Sequence, residues 1–175
     1  NMEQEFRSNF IDANGNTTTS TYDAAGRVRT IVDPLGFTTT QGYDRANRRV
    51  AVTDPAGGIA TTTYYANGLT QATIDQLGNR TTQIYDQANR PIATINPLGN
   101  RGTVTYLANG LTHATISPVG CRTTMGYDAA DHQVQVTDGL GNLTTTIYDD
   151  AGRPIVAIDA EGFRTTTVFA QANRK

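Results

Sequence analysis

Thr39-Thr40-Gln41-Gly42-Tyr43-Asp44-Arg45-Ala46-Asn47-Arg48, running on through Arg49-Val50-Ala51-Val52-Thr53-Asp54 to Pro55-Ala56-Gly57, is the stretch that decides the fold. Thr39 to Asp44 is short, rich in β-formers and bounded by turn residues, and so is Arg48 to Asp54. Between them Asn47, fourth after Tyr43, is of a type that tolerates positive φ. A type I turn closed by a left-handed residue fits there and joins antiparallel strands. Asp54-Pro55-Ala56-Gly57 supplies a second turn: Asp accepts a backbone bond, Pro presets φ and Gly ends the loop.

The stretch recurs along the chain. Tyr22, Tyr43, Tyr64, Tyr85, Tyr106, Tyr127, Tyr148 and Phe169 are each 21 residues apart. Gly15, Gly36, Gly57, Gly78, Gly99, Gly120, Gly141 and Gly162 keep that period, as does the threonine column from Thr19 to Thr166. The unit reads T-T-x-x-Y-D-x-A-[G/N]-R, a strand-like stretch ending in Asp, then P-x-G. The expected fold is all-β: residues 1–175 form a single array of about eight tandem 21-residue units, each a β-hairpin.

Comparing units with one another pairs two columns. Asp23, Asp44, Asp86 and Asp149 are followed four residues on by Arg27, Arg48, Arg90 and Arg153, whereas Tyr65 and Leu107 are followed by Leu69 and Leu111. Charge gives way to apolar character on both sides together, so the two positions are expected to face each other across the tight turn and to fix register. Asp128 with His132 is a weaker version, and Ala170 with Arg174 breaks the rule. Gly alternates with Asn or Asp at the left-handed position, which suggests a 42-residue pair as the evolutionary unit.

Two architectures accommodate such units. Stacking each unit as one coil of a β-solenoid would set Asp on Asp and Arg on Arg at about 4.8 Å, whereas a continuous antiparallel, coiled sheet of hairpins separates equivalent residues by roughly 10 Å. The hairpin sheet is therefore expected, with the solenoid as its alternative.

Composition narrows the class. Ile, Leu, Val and Phe together make up about 19% of the 175 residues, close to the range of disordered chains, yet the net charge is only −2. Thirty threonines against three serines argue for a pleated surface rather than a linker. One lysine, Lys175, and 14 basic against 16 acidic residues leave no basic patch for nucleic acid. No stretch is apolar enough for a membrane span, and residues 1–6 lack a signal-peptide shape.

Singular sites are few. Cys121 forms no internal disulfide and is a candidate only for an intermolecular one. His113 and His132 lack zinc-ligand spacing and occupy variable positions. The strand-ending Asp12, Asp33, Asp54, Asp75, Asp138 and Asp159 resemble a calcium array but sit where turns need capping, so no metal or cofactor is expected. Asn79, Asn100 and Asn142 either form an amide ladder or satisfy their turns; Asn16, Asn79 and Asn142 also begin N-x-T sequons. A residue type that recurs eight times serves the unit, so no catalytic group is expected. The tyrosine rings are expected to cover a thin core and to hydrogen-bond through their hydroxyls.

The motif Tyr22-Asp23-Ala24-Ala25-Gly26-Arg27, repeated as Tyr148-Asp149-Asp150-Ala151-Gly152-Arg153, resembles the YD repeat of the Rhs family. The resemblance covers Ile11 to Lys175. It implies a spiralling antiparallel sheet on large secreted or cell-surface proteins: bacterial polymorphic toxins, cocoon subunits of insecticidal toxin complexes, and teneurins. In many of these the sheet closes round a toxic segment, using more units and a self-cleaving core that this sequence does not display. Arg174-Lys175 stops inside a unit, so the chain reads as a segment of a longer chain or polymer. The expected function is a non-catalytic, extracellular β-sheet wall or fibre that associates with itself or with flanking repeats. The alternatives are part of an Rhs-type shell around an encapsulated polypeptide, or an adhesin presenting Tyr and Arg to glycans.

Overall fold

The computed structural model describes residues 6–169; the Ala170–Arg174 pair, Asn173 and Lys175 lie outside them. Contacts divide the chain into two compact units, Asn1–Gln83 and Ile84–Lys175. The first holds β1 (Phe6–Ile11), β2 (Thr17–Tyr22), β3 (Val28–Val32), β4 (Thr38–Tyr43), β5 (Arg49–Thr53), β6 (Ile59–Tyr64), β7 (Thr70–Ile74) and most of β8 (Arg80–Tyr85). The second holds β9 (Pro91–Ile95), β10 (Arg101–Tyr106), β11 (Thr112–Ile116), β12 (Arg122–Tyr127), β13 (Gln133–Thr137), β14 (Leu143–Tyr148), β15 (Pro154–Ile158) and β16 (Arg164–Thr166).

Sheet order is sequence order, and consecutive strands pair antiparallel. The hairpin meander is therefore the architecture, and the solenoid alternative fails, because each strand's neighbour is the next strand rather than its equivalent 21 residues away. No helix occurs among the described residues.

Both loops of every unit have one geometry. In the loop after Tyr43, the Asp44 N–H donates to the Arg48 carbonyl at 3.0 Å and the Asn47 N–H to the Asp44 carbonyl at 3.2 Å. In the loop after Thr53, Asp54 and Gly58, then Gly57 and Asp54, make the same two bonds. This is a type I turn followed by a left-handed residue. Asn47, Asn89 and Asp131 sit at φ of 63, 63 and 65°, and Gly fills the other left-handed positions.

Two such identical loops create a parity problem that the fold must solve. Pairing across them alone would set residue i level with i+20, so residues 21 apart would fall on opposite faces. A β-bulge removes the conflict. Register slips by one between Thr21 and Tyr22, between Gly42 and Tyr43, and at each equivalent position where that hairpin's register is defined, but never in the other hairpin. Thr19 is thereby level with Val32 and then with Thr38, an offset of 19, and its equivalent Thr40 returns to the same face.

Each unit is a single layer of strands. Ala72, Ala93, Ala114 and Val156, at 0, 3, 1 and 4% exposure, are the buried apolar residues among those described, and no large side chain is fully enclosed. All four take the same place in the unit, one face of an odd-numbered strand. Beside the corresponding Thr30, Thr21 is also buried, and the two hydroxyls meet at 2.6 Å. The accessible surface is 12460 Å². Two separate compact bodies of half the 18.8 kDa mass would expose only about 10000 Å² together. The scarcity of large apolar residues thus matches a sheet with no second layer to pack against.

One position in the second unit is under-filled. Gly102 stands in a column that elsewhere holds Thr18, Thr39, Ala60, Thr81, Thr123 and Thr144, and a groove of about 320 Å³ lies there, lined among others by Thr94, Val104, Thr115, Cys121 and Thr123. A Cβ at Gly102 would meet the Ile116 carbonyl at 3.5 Å and Pro118 Cδ at 3.6 Å, ordinary contacts. Gly102→Thr should therefore stabilise the chain by about 0.5–1 kcal/mol, read as a rise of roughly 2–4 °C in melting temperature. An unchanged or lower value contradicts this.

Candidate functional site

Where Asp opens a loop, it organises it. Asp44 Oδ1 accepts the N–H groups of Ala46 at 2.8 Å and Arg48 at 3.0 Å, which leaves Oδ2 for a side chain. In four of the loops after a tyrosine that side chain is the arginine four residues on. Arg48 Nε and Nη2 both donate to Asp44 Oδ2, each at 2.7 Å. Arg27 with Asp23, Arg90 with Asp86 and Arg153 with Asp149 repeat the arrangement at 2.6–2.8 Å. His132 Nδ1 lies 3.0 Å from Asp128 Oδ2 in the same place. In the apolar versions the backbone bonds persist, from Tyr65 N–H to the Leu69 carbonyl and from Leu107 to Leu111, both 2.8 Å.

Three of the loops at the other edge use Asn instead. Asn16, Asn79 and Asn142 donate Nδ2–H to Oδ2 of Asp12, Asp75 and Asp138 at 2.8–2.9 Å. Asn100 instead donates its backbone N–H to Asn96 Oδ1. Of the two roles open to these asparagines, the structure therefore gives the turn, and no amide ladder. The strand-ending aspartates are occupied by backbone N–H groups, and no group of three or more metal-ligating side chains occurs among the described residues.

Such bonds hold eight of the turn carboxylates below their ordinary range. For Asp23 and Asp149 the first cause is the arginine side chain; for Asp44 and Asp86 it is the backbone N–H of Arg48 and Arg90, and for Asp128 that of His132. For Asp12, Asp75 and Asp138 it is the Asn side chain. A lowered folded-state pKa contributes stability that is complete above the unfolded value of 3.8 and is lost as pH falls through the folded value. Melting temperature should accordingly begin to fall near pH 4 to 5 and keep falling below it, as followed by circular dichroism. A flat profile down to about pH 2.5 would show that the unfolded chain holds these protons equally.

Each cation also reaches the next hairpin. Arg27 Cζ lies 4.7 Å from the ring centroid of Tyr43, and Arg48 4.6 Å from that of Tyr64; in the second unit Arg90 lies 4.5 Å from Tyr106 and Arg153 4.7 Å from Phe169. His132 stacks on Tyr148 at 4.7 Å. Arg27 Nη1 donates to the Asp44 carbonyl and Asn47 Oδ1, and Arg48 Nη1 to the Tyr65 carbonyl. The tyrosine hydroxyls reach back: Tyr64 donates to the Arg49 carbonyl at 3.0 Å, Tyr106 to Pro91 at 2.8 Å, Tyr127 to Thr112 at 2.8 Å and Tyr148 to Gln133 at 3.2 Å. Tyr43 has the Val28 carbonyl and Gln41 Oε1 within 3.0 Å as acceptors, and the Tyr22 hydroxyl meets that of Ser8. Tyr85 closes β8.

The rings are thus half-buried clasps between hairpins, where the sequence pointed to cover for a thin core and a hydroxyl hydrogen bond, without the partner hairpin. The cross-turn column was legible; its second contact, 16 residues further on, was not. A signal existed in Phe169, which keeps the ring and drops the hydroxyl. The column from Gly36 to Gly162 contributes left-handed backbone and no side-chain chemistry.

The family model described as RHS Repeat matches residues 9–38, 22–59, 64–101 and 127–165, most of the chain. The chain belongs to the RHS repeat family. No curated protein sequence matches it significantly. Among solved structures, this RHS repeat chain is similar to TcdB2-TccC3, at 14% identity over 86% of its length and 13% of that chain, with a TM-score of 0.31. It is likewise similar to the Photorhabdus luminescens Tc holotoxin pore, at 14% identity over 90% of its length and 12% of that chain, with a TM-score of 0.33. It spans about an eighth of those chains.

Proposed function

We propose that this RHS repeat chain is a non-catalytic structural segment of an extracellular β-sheet wall or fibre. The observation that carries the reading is the clasp: in rung after rung the recurrent Asp, Arg and Tyr are engaged with their own turn and with the next hairpin. Chemistry needs a singular constellation, whereas these groups repeat. On this reading residues 1–175 act as one array within a longer chain or polymer, secreted or at the cell surface. Its partners are flanking repeats or further copies added at the sheet's ends, since an exposed strand edge templates another strand.

Membership of the RHS repeat family supports a second form of the same role, a stretch of shell around an encapsulated polypeptide. An adhesin is less well supported, because the guanidinium groups already cover a face of the Tyr43, Tyr64 and Tyr106 rings. Electron microscopy of the native material tests the proposal. Extended sheets, fibres or curved walls are expected; compact monomers that never associate and derive from no longer chain would overturn it. A cargo segment and a self-cleaving core in the full-length gene would select the shell.

A further inference from the structure

The two edges of the second unit differ in chemistry. Its Tyr-following loops carry Ala88, Asn109, Ala130 and Ala151 at their tips, and two of them are stapled together by Asn109 Nδ2–H donating to Asp131 Oδ1 at 2.8 Å. The loops at the opposite edge, after β9, β11 and β13, carry Leu98, Val119 and Leu140 at 84, 85 and 88% exposure. Nothing in a type I turn requires an apolar residue there, and the backbone bonds of these loops are complete without it. The tips stand two strands apart, about 10 Å, so they form a row of regular period on one edge.

We propose that this row is an interface on which a second copy of the chain docks edge to edge, related by a two-fold axis through Val119. Period and charge both single out a copy as the occupant. Only a surface with the same spacing meets every tip, and an antiparallel copy sets Leu98 against its partner's Leu140 and Val119 against Val119. Charge is distributed unequally along the row. Arg101 opens the strand after the loop of Leu98 and Arg122 the strand after that of Val119, whereas the loop of Leu140 opens with Asp138 and is followed by one with Asp159 and Glu161, ahead of Arg164. The two-fold arrangement brings Arg101 of each copy to Asp138 of the other, with Arg122 meeting its own counterpart at the axis; a parallel arrangement would oppose like charges at all three tips. Three tips with their flanking residues make a small contact, below about 1200 Å² in total, so the association is weak. This lateral pairing goes beyond the wall reading, which needs growth only at the strand edges.

Disulfide trapping tests it on the full chain in a Cys121→Ser background. Under mild oxidation Val119→Cys should form a dimer on its own. Leu98→Cys and Leu140→Cys should cross-link at least ten-fold more when mixed with each other than when each is incubated alone. Ala130→Cys, at the opposite edge, should not cross-link. Val119→Asp should reduce the dimer fraction in sedimentation at least ten-fold while leaving the melting temperature unchanged. Absence of cross-links, or equal cross-linking of all variants, overturns the proposal. Walls seen by electron microscopy without these cross-links would sink this interface and leave the wall reading intact; trapped dimers without walls would do the reverse.

Discussion

Removing residues 43–63, one whole unit, should leave a folded chain of nearly the original stability, whereas removing residues 43–62 should lower the melting temperature by about 6–12 °C. The 21-residue deletion joins Gly42 to Tyr64 and keeps every column in phase. Arg27 then lies over Tyr64 in place of Tyr43, Gly42 pairs with Ala72 in place of Ala51, and Thr40 with Ile74 in place of Thr53. The 20-residue deletion leaves Thr63 between Gly42 and Tyr64. If Thr63 keeps its place opposite Ala72, Gly42 and everything before it turn over, so that Thr40 and its partner Thr30 move to the other face. Arg27 and Tyr64 are then on opposite sides of the sheet. The loss sums a cation–π contact of about 0.5–1 kcal/mol, a hydroxyl–carbonyl bond of about 1 kcal/mol and several cross-strand pairs at about 0.2–1 kcal/mol each. The total is on the order of 3 kcal/mol, at roughly 2–4 °C per kcal/mol. Circular dichroism melts of the two deletions decide the matter, and equal melting would contradict the phase argument.

What could be read from the sequence was what repeats locally. Turn chemistry lies within five residues, so Asp44, Asn47 and Gly57 disclosed both loops, and the positive φ values fall at Gly, Asn and Asp. The joint replacement of Asp and Arg by Tyr65 and Leu69, and by Leu107 and Leu111, disclosed a pair across one turn. The clasp escaped because Arg27 and Tyr43 belong to successive hairpins, and their approach depends on where the second hairpin lands. That placement rests on the bulge. The bulge itself was available in principle, since an odd period built from two identical loops puts equivalent residues on opposite faces unless one residue per unit is absorbed. The chemical difference between the two edges was present at Leu98, Val119 and Leu140, but only strand pairing places these tips side by side, away from the stapled loops.

Tyr106→Ala should cost about 3 kcal/mol, the largest effect expected of a single substitution in the second unit. The ring is half-buried, so its apolar area accounts for about 1–2 kcal/mol, less than a fully buried aromatic would contribute. Its hydroxyl donates to the Pro91 carbonyl at 2.8 Å, a bond worth about 1 kcal/mol. Arg90 lies over the ring at 4.5 Å while held by Asp86 at 2.8 Å, so the guanidinium is already positioned and the contact needs little further ordering; it is worth about 0.5–1 kcal/mol. Tyr106→Phe should separate these contributions by losing only the hydroxyl bond, about 1 kcal/mol, as Phe169 beneath Arg153 already shows that the stack forms without it. Arg90→Ala removes the cation but leaves the Asp86 carboxylate capping the N–H groups of Ala88 and Arg90. In a double-mutant cycle with Tyr106→Ala, urea unfolding should therefore return a coupling of about 0.5–1 kcal/mol. Coupling near zero would mean that ring and guanidinium merely lie together, and that strand pairing alone holds successive hairpins in register.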